Sequence, residues 1–456
     1  MTRASSRFVP SIAAGLLLLG CKLGATEGVA LVGATLIDGS GGPPLRNAVV
    51  LVRGGKVETV GSRDGFELPR GTSEVDVSGR WIIPGLIDAH AHAAQASTWA
   101  PARYLAWGVT TVRDMHGPQN AVTSFRRRSN SGTNSMPRVY AAGAMVDGLP
   151  TTYPDAIGVN AENDARKAID RLVSAGVDFI KVYTHIDPPL LRAILDEART
   201  FNIGVAAHLG MTDAVTAAKA GVSSIEHMTG VPEAVSRERS SLIAAHYRGF
   251  FPGWTSFERS WADLDSAALT QLAGRLAQEK VTLVPTLILH ETLSRLNDAA
   301  VLRDPALADV PEEAKRVWDV PGMIARARWS ESDFVAFRRS RPMQDLFARA
   351  FAAAGGRIAT GTDAPNQLLV PGYSEHRELE LLVAAGLTPR EALRAATRNA
   401  AVLLGVDSLG LLAPGKVADL LVLTKDPLAD IRNTRSIEAV MSRGRLLDVD
   451  SIRATW

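Results

Sequence analysis

Eight short apolar runs punctuate the middle of this 456-residue chain, and most gaps between them read as amphipathic helices. The runs cover 81–90, 109–113, 138–145, 179–183, 204–208, 223–227, 282–289 and 357–363. Helical patterning fills 164–175, 189–201, 213–220 and 266–280. A strand that alternates with a helix must pair in parallel with its successor, because the helix returns the chain to the same edge. Eight such strands in one domain predict an α/β fold of the (β/α)8 TIM-barrel type. In that architecture the chemistry sits at the C-terminal ends of the strands.

What stands at those ends is unusual. The first run closes with His90 and His92, one residue apart, so both imidazoles project to one side of a strand and make half a metal site. The fourth run carries Lys181 between apolar neighbours. The fifth ends at His208, the sixth at His227 and the eighth at Asp363. Each has a plainer reading alone. A single histidine is ordinarily structural, and Asp363 could cap a helix ahead of Ala364-Pro365. Lys181 is harder to dismiss, since an unpaired buried ammonium is costly. Together the six residues read as a metal centre.

These motifs resemble the amidohydrolase superfamily, in its binuclear branch near the imidazolonepropionase-like and Xaa-Pro dipeptidase-like members. The resemblance rests on Gly85-Leu86-Ile87-Asp88-Ala89-His90-Ala91-His92, Ile180-Lys181-Val182-Tyr183, Ser224-Ile225-Glu226-His227 and Thr360-Gly361-Thr362-Asp363. Ala413-Pro414-Gly415-Lys416-Val417-Ala418-Asp419-Leu420 completes it. It implies that Lys181 is carbamylated and bridges two divalent metals. His90, His92 and Asp363 would hold one of them, and His208 and His227 the other. Zinc best fits ligation rich in imidazole. Two cations lower the pKa of a shared water. Asp363 would take its proton and pass it to the departing amine. Tyr183, two residues beyond the lysine, is a candidate for substrate or oxyanion binding. His116, His185 and His376 stand near strand ends and are further substrate candidates, whereas His246 and His290 read as structural. Many dipeptidase-like relatives carry Gly-Gly-His after the third strand. Here Gly143-Ala144-Met145-Val146-Asp147-Gly148 stands there, so Xaa-Pro specificity is not implied. Tyr153 and Trp254 suggest an apolar substrate pocket.

The two ends of the chain read differently. Segment 28–84 is all-β, with Gly54-Gly55 as a hairpin signal. Segment 406–456 has the same character, with a second hairpin at Gly444. Neither can bury a core alone, which predicts one composite β-sandwich beside a barrel over 85–405. Residues 1–20 read as a signal peptide with an apolar stretch too short to span a bilayer. Leu18-Leu19-Gly20-Cys21 resembles a lipobox, and Cys21 is the sole cysteine. The expectation is an exported bacterial envelope protein, lipid-anchored at Cys21, facing the periplasm, with no other membrane contact and no disulfide. Segment 300–350, charged and helical, reads as a lid. Lys plus Arg total 50 against 48 for Asp plus Glu, so no global charge points to nucleic acid. Arg126-Arg127-Arg128 reads as a solvated helix face. The expected partner is a small molecule, a dipeptide or N-acyl amino acid cleaved at its amide bond. Relatives often form homo-oligomers. The alternatives are a hydrolase of cyclic amides or lactones on the same centre, and a surface lipoprotein that only binds metal or ligand.

Overall fold

The computed structural model describes residues 28–132, 136–454 and 456. The expected leader and Cys21 lie outside the described residues. Both parts of the chain flanking the parallel strands feed one continuous β-sheet. Gly28–Leu36 pairs antiparallel with Leu45–Arg53, which pairs with Lys56–Ser62. On its other side Gly28–Leu36 runs parallel to Trp81–Pro84, and that strand pairs antiparallel with Leu420–Leu423. Ile437–Ser442 and Arg445–Leu447 complete the C-terminal edge. Leu31, Val50 and Val52 from one part share a core with Leu420, Val422 and Met441 from the other, so each buries what the other exposes. Both hairpins turn on paired positive-φ residues, Gly54 (58°) with Gly55 (78°) and Arg443 (51°) with Gly444 (75°). Such turns match the right-handed twist of the flanking strands.

The middle of the chain builds parallel sheets. Leu86–Ala91, Val109–Asp114 and Arg138–Ala141 form one. Val146–Gly148, Ile180–Val182, Val205–Ala207, Ser224–Glu226, Thr282–Val284 and Arg357–Ile358 follow one another in the second. The two are joined along both margins. On one side Asp178 N–H donates to the Ala141 carbonyl at 2.8 Å; on the other Ala89 N–H donates to Thr360 at 2.9 Å and Asp363 N–H to His90 at 2.7 Å. The patterned helices occupy the gaps as Glu162–Ser174, Pro188–Thr200, Ala214–Ala220 and Ser266–Gln278. Asp187, Asp213 and Asp265 cap the last three by accepting a backbone N–H three residues on, which satisfies a donor that the first turn leaves free.

Several expected elements need correction. The run 81–90 is two strands, not one. It breaks at Gly85, whose N–H donates to the Asp419 carbonyl at 2.9 Å, so Trp81–Pro84 stays in the antiparallel sheet. A Cβ at Gly85 would lie 2.3 Å from Thr110 Oγ1. The run 138–145 ends at Ala141, and pairing resumes at Val146. The run 282–289 ends at Val284; Thr286 turns through a left-handed conformation (φ 47°) into the helix Leu287–Ser294. A continuous apolar stretch does not by itself distinguish strand from buried helix. The later part of the expected lid, from 331 on, is the helix Glu331–Ala353, which packs on Ser266–Gln278, Phe250–Ser260 and Leu287–Ser294 as an ordinary crossover. Only the preceding turns reach the site's rim, where Trp318 Nε1 donates to the Pro365 carbonyl at 2.7 Å. Arg126 is not simply solvated, since it holds Asp178 through Nε and Nη2, both at 2.5 Å.

Asp419 is the junction between the two regions. Besides binding Gly85 through its carbonyl, it accepts from Arg138 Nη1 at 2.7 Å and from Arg443 N–H at 2.6 Å. Removing one partner of a buried ion pair strands the other. Asp419→Ala is expected to cost about 3 kcal/mol of stability, read from the midpoint of urea unfolding. An unchanged midpoint would show that the junction is held elsewhere.

Candidate active site

Strand ends bring the chemistry together because the first and last parallel strands approach unusually closely. Gly361 makes this possible: a Cβ there would lie 2.6 Å from His90 Cβ and 2.9 Å from its backbone nitrogen. Thr362 and Asp363 N–H then both donate to the His90 carbonyl. Asp363 emerges with φ 62° and His227 with φ 57°. Left-handed backbone at non-glycine residues costs roughly 1–3 kcal/mol and tends to cluster where function demands an orientation.

The resulting geometry is centred on Asp363. Its Oδ1 lies 3.2 Å from His90 Nε2 and 3.0 Å from His92 Nε2. His90, His227 and Asp363 each present one donor atom within 4.8 Å of the others. The His208 ring stands 4.9 Å from that of His227, which in turn is 4.4 Å from His90. The tight group therefore draws His227 toward His90 and Asp363 as closely as toward His208. Lys181 is buried, and its Nζ has no hydrogen-bond partner among the described residues. Burial pulls its amine down to about 8, against the opposing pull of Glu226 and Asp363.

Three of the four imidazoles are oriented from behind. His90 Nδ1 meets Glu226 Oε2 at 2.6 Å, His92 Nδ1 meets the His116 carbonyl at 3.2 Å, and His227 Nδ1 meets Thr286 Oγ1 at 2.7 Å. A ligand imidazole whose far nitrogen is fixed by an acceptor has its Nε2 free and aimed. Burial holds His208 and His227 well below the usual imidazole range, assisted by the Lys181 and His90 charges respectively. They are thus neutral, the form that binds metal. Burial would raise Asp363, but its hydrogen bonds with His90 and His92 outweigh it and hold the carboxyl well below the usual carboxylate range. Oriented neutral imidazoles, an ionised carboxylate and an orphaned buried amine fit a metal centre.

Glu226 and Arg113 were not anticipated. Glu226 holds His90 with one oxygen and accepts from Arg113 Nη2 at 2.7 Å and Ser224 Oγ at 2.5 Å with the other. Arg113 Nε also donates to the Ala89 carbonyl at 2.5 Å. Burial would raise Glu226, yet Arg113 and then His90 hold it far below the usual carboxylate range. A cation inside an apolar strand was the available signal, the same that singled out Lys181. Asn366, whose Nδ2 donates to Asp363 Oδ2 at 2.6 Å, carried none.

The weaker candidates divide. Tyr183 lies at the centre, its ring 4.4 Å from His208. His116 sits at the edge; Nδ1 accepts from Met145 N–H and Nε2 meets Asp155 at 3.1 Å. The substrate role expected of His376 is corrected: it is fully buried, with Nδ1 on Thr434 Oγ1 and Nε2 on the Trp107 carbonyl. His185 is likewise committed, its nitrogens facing the Pro150 carbonyl at 2.7 Å and the His246 carbonyl at 3.0 Å. It ties a loop to a helix and has no nitrogen left for substrate. His246 pairs with Glu233, and His290 with Glu258, behind the centre.

A sequence model of the amidohydrolase family matches residues 81–447. Imidazolonepropionase of Cereibacter sphaeroides is 27% identical over 424 residues, spanning 87% of this chain and 93% of that protein. Ochratoxinase of Aspergillus niger is 24% identical over 485 residues, spanning 90% and 84%. A solved Xaa-Pro dipeptidase, with methionine bound in its active site, superposes with a TM-score of 0.68 at 21% identity. That match covers 92% of this chain and all of the other, a likeness of fold.

Loss of an outer hydrogen bond to a ligand imidazole typically weakens metal affinity roughly 10–100-fold. Glu226→Gln, which keeps the shape and removes the charge facing His90 and Arg113, is expected to do the same. Competition with a chromogenic zinc chelator measures it. Wild-type affinity in the variant would remove Glu226 from the support of the centre.

Proposed function

Because this chain belongs to the amidohydrolase family, we propose that it is a binuclear metal-dependent hydrolase of amide bonds, built on a (β/α)8 barrel over 85–405. The composite sheet of 28–84 and 406–456 is its companion domain. The substrate is a dipeptide or N-acyl amino acid. One observation carries the reading: imidazoles from separate strands gather around Asp363, beside a buried Lys181 amine with no hydrogen-bond partner among the described residues.

In this reading His90, His92 and Asp363 hold one cation, His208 and His227 the other, and Lys181 bridges them as a carbamate. The lowered lysine favours that modification, because the neutral amine is what attacks carbon dioxide. The ammonium gives up one proton to become that amine and a second as the C–N bond forms, so two protons leave in all and a cation becomes an anion. When bound, a pair of divalent ions, zinc by donor type, supplies an acidified water and polarises the scissile carbonyl.

The chain's own groups do the rest. Asp363 would receive the water's proton at Oδ2, where the Asn366 N–H is its one donor among the described residues, while Oδ1, which faces His90 and His92, would join them in holding the cation. The same oxygen returns the proton to the amine nitrogen as the C–N bond breaks, so one carboxylate acts as base and then acid. Tyr183, kept protonated by burial, offers an O–H to the substrate beside His208.

The test is a panel of dipeptides, N-acyl amino acids, cyclic amides and lactones, assayed with zinc and with chelator. Chelator-sensitive cleavage of the linear amides is expected. Asp363→Asn should lower kcat by about 10²–10⁴-fold while most bound metal is retained. Full activity in that variant removes the proposed base. Turnover confined to cyclic amides or lactones would move the substrate class, and no turnover at all would favour a binding protein.

A further inference from the structure

The centre has two unlike flanks. Around His90, His92 and Asp363 the neighbours are polar. On the His208 side a series of rings leads outward. Trp254 stands 5.9 Å from His208, Phe250 lies 6.0 Å from Trp254 and nearly parallel to it (25°), and Tyr183 lies 6.3 Å from Phe250 at 21°. Tyr153 closes the series, 5.7 Å from Tyr183 and 6.4 Å from Phe250. These residues come from three different segments: the loop after Gly148, the strand end at Tyr183 and the helix that begins at Phe250.

An ordinary core cluster would be closed to solvent. This one is not. Trp254 is 3% exposed and Tyr183 7%, but Phe250 is half-buried and Tyr153 is 39% exposed. Ring surface is therefore offered at the outer end of a path whose inner end is His208. The enclosed indole N–H of Trp254 has no hydrogen-bond partner among the described residues, so the path also holds a spare donor for a ligand oxygen. Aromatic rings favour other rings in offset or edge-on contact beyond what area alone gives. A saturated group of the same size lacks that gain.

We propose that Tyr153, Phe250 and Tyr183 form a subsite for a planar aromatic group placed next to the scissile carbonyl. The inference rests on the amide-hydrolase reading and narrows its substrate class to aromatic amides. Phe250 is the central specificity-determining residue, because it touches both tyrosines, His208 and Trp254.

Two ketones that cannot be hydrolysed test the subsite in the metal-loaded enzyme: acetophenone, and cyclohexyl methyl ketone of similar bulk. Acetophenone is expected to bind about tenfold more tightly, measured by ligand-observed NMR titration. Phe250→Leu keeps apolar bulk and should cut that preference to about twofold. Tyr153→Leu, on an exposed loop, should reduce it without endangering the fold. Equal affinity for the two ketones, binding of neither, or a preference untouched by both variants would overturn the proposal. N-benzoyl and N-acetyl amides of one amino acid separate the two readings. Equal cleavage of both sinks the subsite and spares the hydrolase. A ring preference in binding without any chelator-sensitive cleavage does the reverse.

Discussion

The contact on which the rest depends is backbone against backbone, where 360–363 meets 89–90. Ala89 N–H bonds to Thr360, and Thr362 and Asp363 both bond to the His90 carbonyl. Asp88 reinforces the seam by accepting from the Thr362 hydroxyl at 2.6 Å and its N–H at 3.1 Å. Only a glycine at 361 lets the chains come so near. This one seam joins the margins of the two parallel sheets and also sets the carboxylate of Asp363 against two imidazoles more than 270 positions earlier. Closure of the fold and assembly of the site are the same event.

That economy concentrates charge where water is excluded. Asp88 and Asp114 are pushed up to about 7 and about 6 by burial, despite several hydrogen bonds each. Buried charges survive only when paired and oriented. Arg113 is the means here. It anchors to a strand carbonyl with Nε and to Glu226 with Nη2, and Glu226 in turn fixes His90. Lys181 is the exception, enclosed without a partner, and it is also the residue whose modification would reverse its charge.

How much of this could be read from residues alone follows from how local each cause is. The six central residues stood out because five stand at or just past the end of an apolar run and Lys181 stands inside one, where a polar side chain is conspicuous. That both chain ends share one β-domain was legible because each flanking segment was too small to bury a face, but a sandwich was expected and the strands form one continuous sheet. What escaped was set by tertiary contact. The break at Gly85 comes from Thr110 and Asp419, neither adjacent in the chain. The helix at Leu287 looked like more strand, since an apolar stretch has no period to betray it. His376 and His185 sat near strand ends as substrate residues should, but partners far along the chain, at Thr434, Trp107 and His246, claim their nitrogens.

The two flanks of the centre follow from where their supporting residues originate. The polar flank is supplied by the strands themselves and by residues directly following them, so it is as rigid as the sheet. Apart from Tyr183 at a strand end, the aromatic flank comes from the loop at 149–156 and the helix from Phe250, elements outside the parallel strands. Loops tolerate substitution better than the strands that carry them. In the proposed reading, metal-binding and proton-transfer groups sit on the part of the fold that cannot change without opening the seam, and substrate choice sits largely on the part that can. His185 links the two. Its backbone N–H is held by Asp147, while its ring clamps the Pro150 carbonyl to the helix end at His246. A histidine with no nitrogen to offer a substrate still ties the segment that leads to Tyr153 to the one that leads to Phe250.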